Sequence, residues 1–359
     1  MSDLIDKAHF EALFLGDTSL LDLRSPGEFA RGSFPHTRNL PLLTDEERHA
    51  VGLCYKQRGQ AAAVALGDEL VSGQLREERM RGWSAFFAKH PHGALYCWRG
   101  GLRSETVQEW LRGAGIMAPR VSGGYKALRQ YLIDATEEAA MTLRFLVLGG
   151  RTGSGKTKIL TRFAEKVDLE ALAHHRGSTF GSYRDAQPTP VEFENALAIA
   201  LLKCRAVGSQ EVLVEDESRT IGRLAIPLSI HQAMSRGQLV VLEVDAALRV
   251  DNILAEYVRE PLSQQPAVEL EATLCAALGR IQRRLGGARH VEIQTLMRHA
   301  FAVNDDDAHR AWIERLLTCY YDPQYDHQLT AKSERIVFRG GAREVSEFLA
   351  DRGMTVIGV

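Results

Sequence analysis

Long apolar runs are missing from this 359-residue sequence. No stretch reaches the roughly eighteen consecutive apolar residues that cross a bilayer, so we expect no membrane-spanning helix. The opening decapeptide, MSDLIDKAHF, carries two aspartates and a lysine, which excludes it as the apolar centre of a secretion signal. These absences predict a cytoplasmic protein without a membrane partner.

Cysteine is scarce, and its five copies form no CxxC pair and no cluster with histidine. This spacing excludes a disulfide framework and provides no ligand set for zinc, and we expect no haem. It favours a protein of the reducing cytosol. The five are Cys54, Cys97, Cys204, Cys275 and Cys319.

An excess of charge of either sign is also missing. Lysine and arginine total 44 against 46 acidic residues, which gives a formal net charge of −2. Such a chain has no overall attraction for a polyanion, so a nucleic-acid partner has to be held by a local basic surface. The length predicts two domains with ample core.

Strand-like and helix-like segments alternate in the first third of the chain, and this alternation predicts a parallel α/β sheet. We assign it to a first domain of residues 1–133, connected to the next by the polar stretch DATEEAA (134–140). The predicted elements are strands at 19–24 and 94–98, a helix at 104–115 and a closing strand at 120–124.

A second α/β domain is predicted for residues 141–359. Buried strands are expected at 143–150, 211–216 and 238–245, and the chain beyond residue 250 is mostly amphipathic helix. The sequence shows no internal repeat and no low-complexity segment.

Cys97 occupies an unusual position in ALYCWRGGLRS (94–104), where a short apolar strand breaks into glycines and arginines. If Ser104 caps the following helix, the loop before it has to turn sharply. Gly100 and Gly101 permit the positive φ values that such a turn needs. The sequence therefore predicts a tight loop that begins at a cysteine.

Several features of this loop stabilise a thiolate rather than a thiol. Backbone N–H groups of the loop and of the helix N-terminus point at the sulfur, and Arg99 and Arg103 add positive charge. The same cradle binds an anion delivered to the sulfur. We therefore predict Cys97 and Arg103 as catalytic residues and disfavour the alternative of a small core cysteine.

The second chemical signal is the phosphate-binding pattern GxxxxGK[ST], which lies after an apolar strand and before a helix, as that pattern requires. Its backbone N–H groups wrap phosphate oxygens, Lys156 neutralises charge and Thr157 holds Mg²⁺. The pattern identifies a diphosphate with its metal and does not identify a base. The predicted ligands are Gly150, Gly153, Gly155, Lys156 and Thr157.

A carboxylate on the metal side should end a neighbouring strand. The segment EVLVEDESR (211–219) offers Glu215, Asp216 and Glu217, of which we choose Asp216. The alternative is that these acids only end a strand in solvent.

The first domain resembles the rhodanese-type sulfurtransferases. The resemblance lies in LLDLRSPGEFARGSFPHTRNLPL (20–42), CWRGGLRS (97–104) and VSGGYKAL (121–128). In that family the cysteine carries a sulfur atom as a persulfide. The spacing Cys-x5-Arg from Cys97 to Arg103 is one residue longer than usual and resembles that of dual-specificity phosphatases. The loop alone therefore leaves the transferred group open.

Taken together, essentially the whole chain resembles the bacterial tRNA 2-selenouridine synthases, in which a rhodanese domain is fused to a P-loop domain and the long Cys-x5-Arg loop is typical. The fold class expected is thus α/β throughout, with a helical C-terminal part. The matching segments are VGLCYKQRGQAAAVALG (51–67), YCWRGGLRS (96–104), GGRTGSGKT (149–157), HHRGSTFGS (174–182), VEDESRTIGR (214–223) and YYDPQYDHQL (320–329).

The resemblance implies a reaction and its partners. The substrate would be 2-thiouridine at the wobble position, U34, of the lysine, glutamate and glutamine tRNAs. S-geranylation from geranyl diphosphate would come first, and selenium from selenophosphate, carried on Cys97, would then replace the sulfur. The P-loop would hold the prenyl diphosphate, with Mg²⁺ able to accompany it, and need not hydrolyse ATP. We expect a monomer.

Weaker signals complete the set of candidates. Arg176 and Ser178 are predicted as further phosphate or substrate contacts, with an ordinary solvent loop as an equal alternative. Tyr320 or Tyr325 is suited to stacking on a base or to packing an Asp-Pro turn. Cys54 is expected to be structural, with a resolving thiol as the alternative.

The best local basic patch comprises Arg280, Arg283 and Arg284, which we place on one helical face where they could contact tRNA phosphates. Solvated arginines are the commoner explanation of such a patch. Two rival functions also survive: a rhodanese-gated nucleotide kinase or NTPase, and a Cys-x5-Arg phosphatase. The first predicts ATP turnover without RNA, and the second predicts phosphatase activity.

Overall fold

A computed structural model describes residues 3–357 of the chain. It divides into two compact units. The first comprises the residues up to Glu138 together with Thr189–Lys203, and the second comprises Ala139–Pro188 together with the chain from Cys204 onward.

The described residues form α-helices, parallel strands and one short antiparallel pair. The strands are β1 Leu4–Ile5, β2 Leu20–Asp22, β3 Thr37–Asn39, β4 Ala94–Tyr96, β5 Arg120–Val121, β6 Arg144–Gly150, β7 Lys166–Val167, β8 Glu211–Glu215, β9 Thr220–Ile221, β10 Leu224–Ala225, β11 Gln238–Leu242 and β12 Ile336–Gly340. The helices are α1 Phe10–Leu15, α2 Pro26–Phe29, α3 Asp45–Leu70, α4 Gly73–Lys89, α5 Leu102–Gly113, α6 Gly124–Thr142, α7 Lys156–Leu160, α8 Leu169–Ala173, α9 Pro190–Ala206, α10 Leu228–Arg236, α11 Ala246–Leu254, α12 Glu260–Leu262, α13 Ala267–Arg280, α14 Gln282–Leu285, α15 Gly287–Val303, α16 Asp306–Leu316, α17 Asp322–Ala331 and α18 Ala342–Asp351.

A parallel sheet of five short strands, in the order β1-β5-β4-β2-β3, forms the centre of the first unit. Successive side chains of a strand point to opposite faces. Leu20 and Tyr96 therefore join one apolar cluster, whereas Leu21 and Leu95 join another on the opposite face. Because both faces are covered, these strands are apolar at consecutive positions, as is typical of parallel sheets.

A second parallel sheet, in the order β12-β11-β6-β8-β7, forms the centre of the second unit. An apolar cluster that includes Leu148, Leu160 and Leu213 packs against it. A separate core of the helices after residue 250 contains the buried side chains of Met297 and Trp312. Each unit thus carries its own core, and α/β architecture with parallel sheets, predicted from the sequence, is confirmed.

The structure differs from the sequence prediction in the path between the units. The stretch 134–140, predicted as a connection, is part of helix α6. Residues 189–203, assigned to the second domain, pack with the first unit, because Ala198 and Leu202 of α9 are buried in its core. Asn195 Nδ2 donates a hydrogen bond to Ser33 O at 2.8 Å in the same unit.

The region beyond residue 250 is mostly helical, as predicted, but it also supplies β12, which extends the second sheet. Between residues 3 and 357, no helix combines the length and the apolar character that crossing a membrane requires.

Candidate functional site

The loop that carries Cys97 runs from the carboxyl end of β4 to the start of α5 and is held by backbone contacts. Cys97 O and Trp98 O accept hydrogen bonds from Tyr125 N and Lys126 N at 2.9 and 3.1 Å. Gly100 has φ 64°, and a Cβ there would lie 2.6 Å from Val121 O, so only glycine fits. Gly101, also predicted to need positive φ, instead has φ −100° and forms the N-cap of α5.

Cys97 is buried in the apolar cluster that contains Leu21 and Leu95, as the alternative of a core cysteine predicted, but its sulfur also has polar neighbours. Its side chain is 3% exposed, and Sγ is 3.3 Å from Ser104 Oγ. Ser104 donates to Gly101 O at 2.8 Å and lies inside the first turn, so the prediction that it caps the helix is wrong. A thiolate at Cys97 accepts hydrogen bonds only, and rotation of the Ser104 hydroxyl supplies one.

Arg103 is brought near the thiol loop but is neutralised by a carboxylate that the sequence analysis did not identify. Its Nη1 lies 2.6 Å from Glu28 Oε2, and Arg48 Nε lies 3.0 Å from the other Glu28 oxygen. Burial opposes ionisation of Glu28, but the hydrogen bond from Arg103 and the charges of both arginines outweigh it and lower the pKa of Glu28. Two arginines therefore share one carboxylate and keep one net positive charge.

The phosphate loop lies between β6 and α7, where the sequence motif predicted it. Gly153 and Gly155 have φ values of 80° and 75°, and a Cβ on Gly153 would lie 2.6 Å from Arg249 O. Lys156 Nζ donates to Gly150 O at 3.1 Å, and Ser154 Oγ is buried without a hydrogen-bond partner. An orphaned hydroxyl in a glycine-rich loop fits a site that completes its hydrogen bonds with a ligand.

Two residues of helix α11 hold this loop in place. The buried Arg249 donates from Nε to Thr152 O at 3.0 Å and pairs through both Nη atoms with Asp322. Asn252 Nδ2 donates to Gly153 O at 2.8 Å. The loop is therefore shaped before any phosphate binds.

Arg176 and Ser178 line the same cavity of about 640 Å³ as the phosphate loop. The Arg176 guanidinium lies 4.1 Å from the centre of the Tyr183 ring, with Nη2 3.2 Å from Glu260 Oε2. Ser178 Oγ is 3.1 Å from Tyr257 Oη. The structure thus brings these two predicted contacts to the predicted diphosphate ligands.

Three acids at the carboxyl end of β8 have different surroundings. Both oxygens of Asp216 lie 2.7 Å from Lys332 Nζ, so the carboxylate chosen for the metal is engaged by an ammonium group. Glu215 is fully buried; it accepts from Leu169 N, and burial raises its pKa. Glu217 faces the cavity beside Glu170, and burial, together with the neighbouring carboxyl group, raises the pKa of Glu170.

Oxygen-bearing side chains line this cavity, but between residues 3 and 357 no group of three or more His, Cys, Asp and Glu side chains is placed to hold a metal ion. Thr157, Asp216, Glu170 and Glu217 all line it with oxygen atoms, which are the ligands that Mg²⁺ prefers. A cation there would oppose the raised pKa of the Glu170 carboxyl group, which is caused first by burial and then by the charge of Glu217. The sequence analysis missed Glu170 because it lies on α8, far from the motif, and no spacing rule connects the two.

The paired carboxyl groups predict a pH-dependent stability. Because burial raises the pKa of Glu170, the folded protein binds more protons than the unfolded chain above pH 4.5 or so, and its stability falls as the pH rises towards 8. We expect Glu170→Gln to be more stable than the wild type at pH 8, by on the order of 1 kcal/mol, and to lose this advantage near pH 5. Urea unfolding at pH 8 and at about pH 5 measures this gain in stability, with Glu314→Gln at an exposed position as the control. An equal gain at both pH values would contradict the prediction.

The chain is similar to known proteins over nearly its whole length. A family model described as the tRNA 2-selenouridine synthase AAA domain matches residues 143–355. A tRNA 2-selenouridine synthase of Bordetella bronchiseptica is 50% identical, with 97% of this chain and 98% of that protein aligned. Those of Alcanivorax borkumensis and Marinobacter nauticus are 46% and 45% identical and cover 97% and 99% of this chain, and 99% and 100% of their own lengths.

This chain belongs to the tRNA 2-selenouridine synthase family. The resemblance found in the sequence motifs is thereby confirmed. The matches to the three synthases span both the thiol loop and the phosphate loop, so neither loop is an isolated motif in an otherwise unrelated chain.

The three arginines that were predicted to contact tRNA in this synthase-family chain lie in two different helices. Arg280, Arg283 and Arg284 do not share one helix, because the chain breaks at Ile281 between α13 and α14. Arg280 donates to Thr179 O at 2.6 Å, and Arg284 lines the phosphate-loop cavity.

The tyrosines and Cys54 are mostly enclosed. Tyr320 is 4% exposed and packs in the helical core, although it also borders the cavity. Tyr325 lines the cavity with its hydroxyl buried, and burial raises its pKa. Cys54 is one of two buried residues of α3 and carries a free thiol.

Proposed function

We propose that this protein is a tRNA 2-selenouridine synthase that converts wobble 2-thiouridine, U34, of the lysine, glutamate and glutamine tRNAs into 2-selenouridine. The observation that carries the proposal is the near full-length match to synthases of that name. It is supported by a buried cysteine in a tight loop, whose sequence resembles that of rhodaneses, and by a phosphate loop in the same chain.

The first step that we propose is S-geranylation at the phosphate loop. The 2-thiouridine sulfur bonds to C1 of geranyl diphosphate, the C1–O bond breaks with its electrons on the diphosphate, and the base loses its N3 proton. Lys156, Arg176 and the amides of the glycine loop stabilise the charge that develops on the leaving diphosphate. When bound, Mg²⁺ would share that charge, with Thr157 and carboxylates of the cavity as its ligands.

The second step that we propose is selenation at Cys97. The thiolate attacks selenium of selenophosphate, and the Se–P bond breaks with its electrons on phosphorus. This leaves an S-selanyl group on Cys97 and releases phosphite, and two external thiols later return to selenium the two electrons that phosphite keeps. The selenium of the selanyl group bonds to C2 of the base while the C2–S bond breaks and geranylthiol departs. An external thiol then cleaves the S–Se bond and a second reduces the mixed disulfide. Alkylation comes first because a thioether leaves more easily than a thiocarbonyl sulfur.

The test is mass spectrometry of tRNA nucleosides after incubation of the protein with 2-thiouridine tRNA, geranyl diphosphate, selenophosphate and the external thiol that the second step consumes. We expect S-geranyl-2-thiouridine without selenophosphate and 2-selenouridine with it. Recovery of unchanged 2-thiouridine would contradict the proposal. ATP turnover or p-nitrophenyl phosphate hydrolysis without RNA would instead favour the nucleotide kinase or the phosphatase.

Arg280, Arg283 and Arg284 do not lie on the single helical face that was predicted, but as candidate phosphate contacts they still predict how tRNA binding depends on salt. Each lysine or arginine that contacts a phosphate releases counterions, so log K falls by roughly 0.7 to 0.9 per contact for each unit of log salt. We expect replacement of Arg280, Arg283 and Arg284 by alanine to make this slope shallower for all three tRNAs alike, because phosphate contacts carry no sequence information. Titrations by fluorescence anisotropy between about 50 and 200 mM salt measure this slope. An unchanged slope would place the tRNA on another surface.

A further inference from the structure

An apolar cavity of about 780 Å³ lies beside Cys97 within the first unit. Its walls are the segment Leu42–Leu43, helix α3, and the thiol loop with the beginning of α5. The volume is within the roughly 300–1,000 Å³ of typical ligand sites. The proposed reaction places selenium at Cys97 in the wall of this cavity, but it assigns no occupant to the apolar interior.

Helix α3 buries unusually little of its own surface. Of its 26 residues, only Cys54 and Ala63 are buried, and the helix is interrupted at Gly59, where φ is 85°. A helix of this kind normally gains its stability by packing an apolar face. Here apolar side chains of that helix line the cavity instead and remain accessible to solvent.

Four exposed apolar side chains line this cavity together. Leu53, Tyr55 and Val64 of α3 and Leu102 of α5 are 47%, 56%, 41% and 47% exposed, and all four line it. Single exposed apolar residues need no explanation, whereas a contiguous group of them marks a binding surface. The occupant therefore presents an apolar surface to these side chains.

The charged residues around the cavity define the rest of the occupant. Arg48, Lys56, Arg99 and Arg103 line it against one acid, Asp68, and Glu28 behind the wall offsets only one of these four positive charges. Such a rim attracts an anion, whereas the interior excludes one. The matching ligand is an apolar chain attached to a polyanion.

We propose that this cavity holds the geranyl chain of S-geranylated tRNA while Cys97 delivers selenium. The inference rests on the proposed function. In that reaction, S-geranylated tRNA is the species in which an aliphatic chain is attached to a polyanion through the sulfur bonded to C2. Binding the chain beside Cys97 brings C2 to the thiol loop and leaves the phosphates at the basic rim. The cavity thus selects the geranylated base and positions its departing thiol.

The experiment compares RNA hairpins of the anticodon arm that carry either S-geranyl- or S-methyl-2-thiouridine. With selenophosphate, the wild-type protein should give a kcat/KM for the geranyl hairpin at least about tenfold above that for the methyl hairpin. Val64→Asp places a charge in the wall at an exposed helical position and should abolish most of this preference, mainly through KM. Val64→Ile should keep it.

A matched control variant and a separate measurement of geranylation distinguish failure of this inference from failure of the proposed function. Ile133→Asp introduces the same charge at an exposed apolar position of α6, outside the cavity, and should leave the preference unchanged. If the wild-type protein forms no 2-selenouridine from the geranyl hairpin, the proposed function itself fails. If 2-selenouridine does form, an undiminished preference for the geranyl hairpin in Val64→Asp overturns the inference. A loss of geranylation in Val64→Asp also overturns it, because the cavity would then hold the geranyl chain of the diphosphate donor.

Discussion

Replacing Cys97 by serine is expected to stop selenation while S-geranylation continues. Oxygen is a poor nucleophile towards selenium and forms no stable selanyl carrier, so the rate of the second step should fall by at least about a thousandfold. Serine is nearly the same size as cysteine, and the site already contains the Ser104 hydroxyl at 3.3 Å, so the fold should tolerate the change. Nucleoside mass spectrometry with geranylated and ungeranylated tRNA measures the two steps separately.

The matched control is Cys54→Ser, which changes a second buried cysteine of the same unit. We expect this variant to keep both activities, since Cys54 is predicted to be structural. Loss of selenation there, with folding intact by circular dichroism, would make Cys54 a resolving thiol. Loss of both steps in Cys97→Ser would mean that the thiol is no dedicated selenium carrier.

Replacing Lys156 by alanine is expected to produce the complementary defect. It removes the ammonium group that lies over the phosphate loop, 3.1 Å from Gly150 O, and leaves the diphosphate with less charge stabilisation as the C1–O bond breaks. Loss of one such contact typically costs at least about a hundredfold in rate. We therefore expect geranylation to collapse in kcat/KM and selenation of tRNA geranylated beforehand to persist.

The control for this variant is Lys126→Ala, which removes an exposed lysine of the first unit. Calorimetric titration with geranyl diphosphate should show binding by Lys126→Ala and by the wild type, and strongly weakened binding by Lys156→Ala. Unchanged geranylation in Lys156→Ala would assign the phosphate loop to another ligand. Loss of both steps would indicate that the loop also serves selenophosphate.

The structural features around the candidate site that the sequence predicted correctly are local. The phosphate loop follows from the spacing of a few residues around Gly155 and Lys156, because the glycine conformations and the strand–loop–helix context are encoded in adjacent positions. The position of Cys97 at the end of a strand followed from the same kind of local pattern. Alternating segments likewise sufficed to predict parallel α/β sheets.

The parts that the sequence did not reveal depend on residues far apart in the chain. Glu28 reaches Arg103 across 75 positions, and Lys332 reaches Asp216 across 116. No spacing rule connects such pairs, because they meet only when the sheet brings the loops at its edge together. The assignment of Ser104 as a cap failed for a local reason: Gly101 ends the loop earlier, and the serine turns inward to a carbonyl oxygen and the sulfur.

The return of α9 to the first unit has a consequence for how the protein is made. The core of that unit includes Ala198, Ile199 and Leu202, which the ribosome adds only after the phosphate loop and the residues up to Pro188 have been synthesised. The thiol unit is therefore unable to complete its core during translation until the second unit has begun to emerge. A fragment cut after α6 would likewise expose the apolar surface that α9 covers, and it would be expected to aggregate rather than to carry selenium by itself.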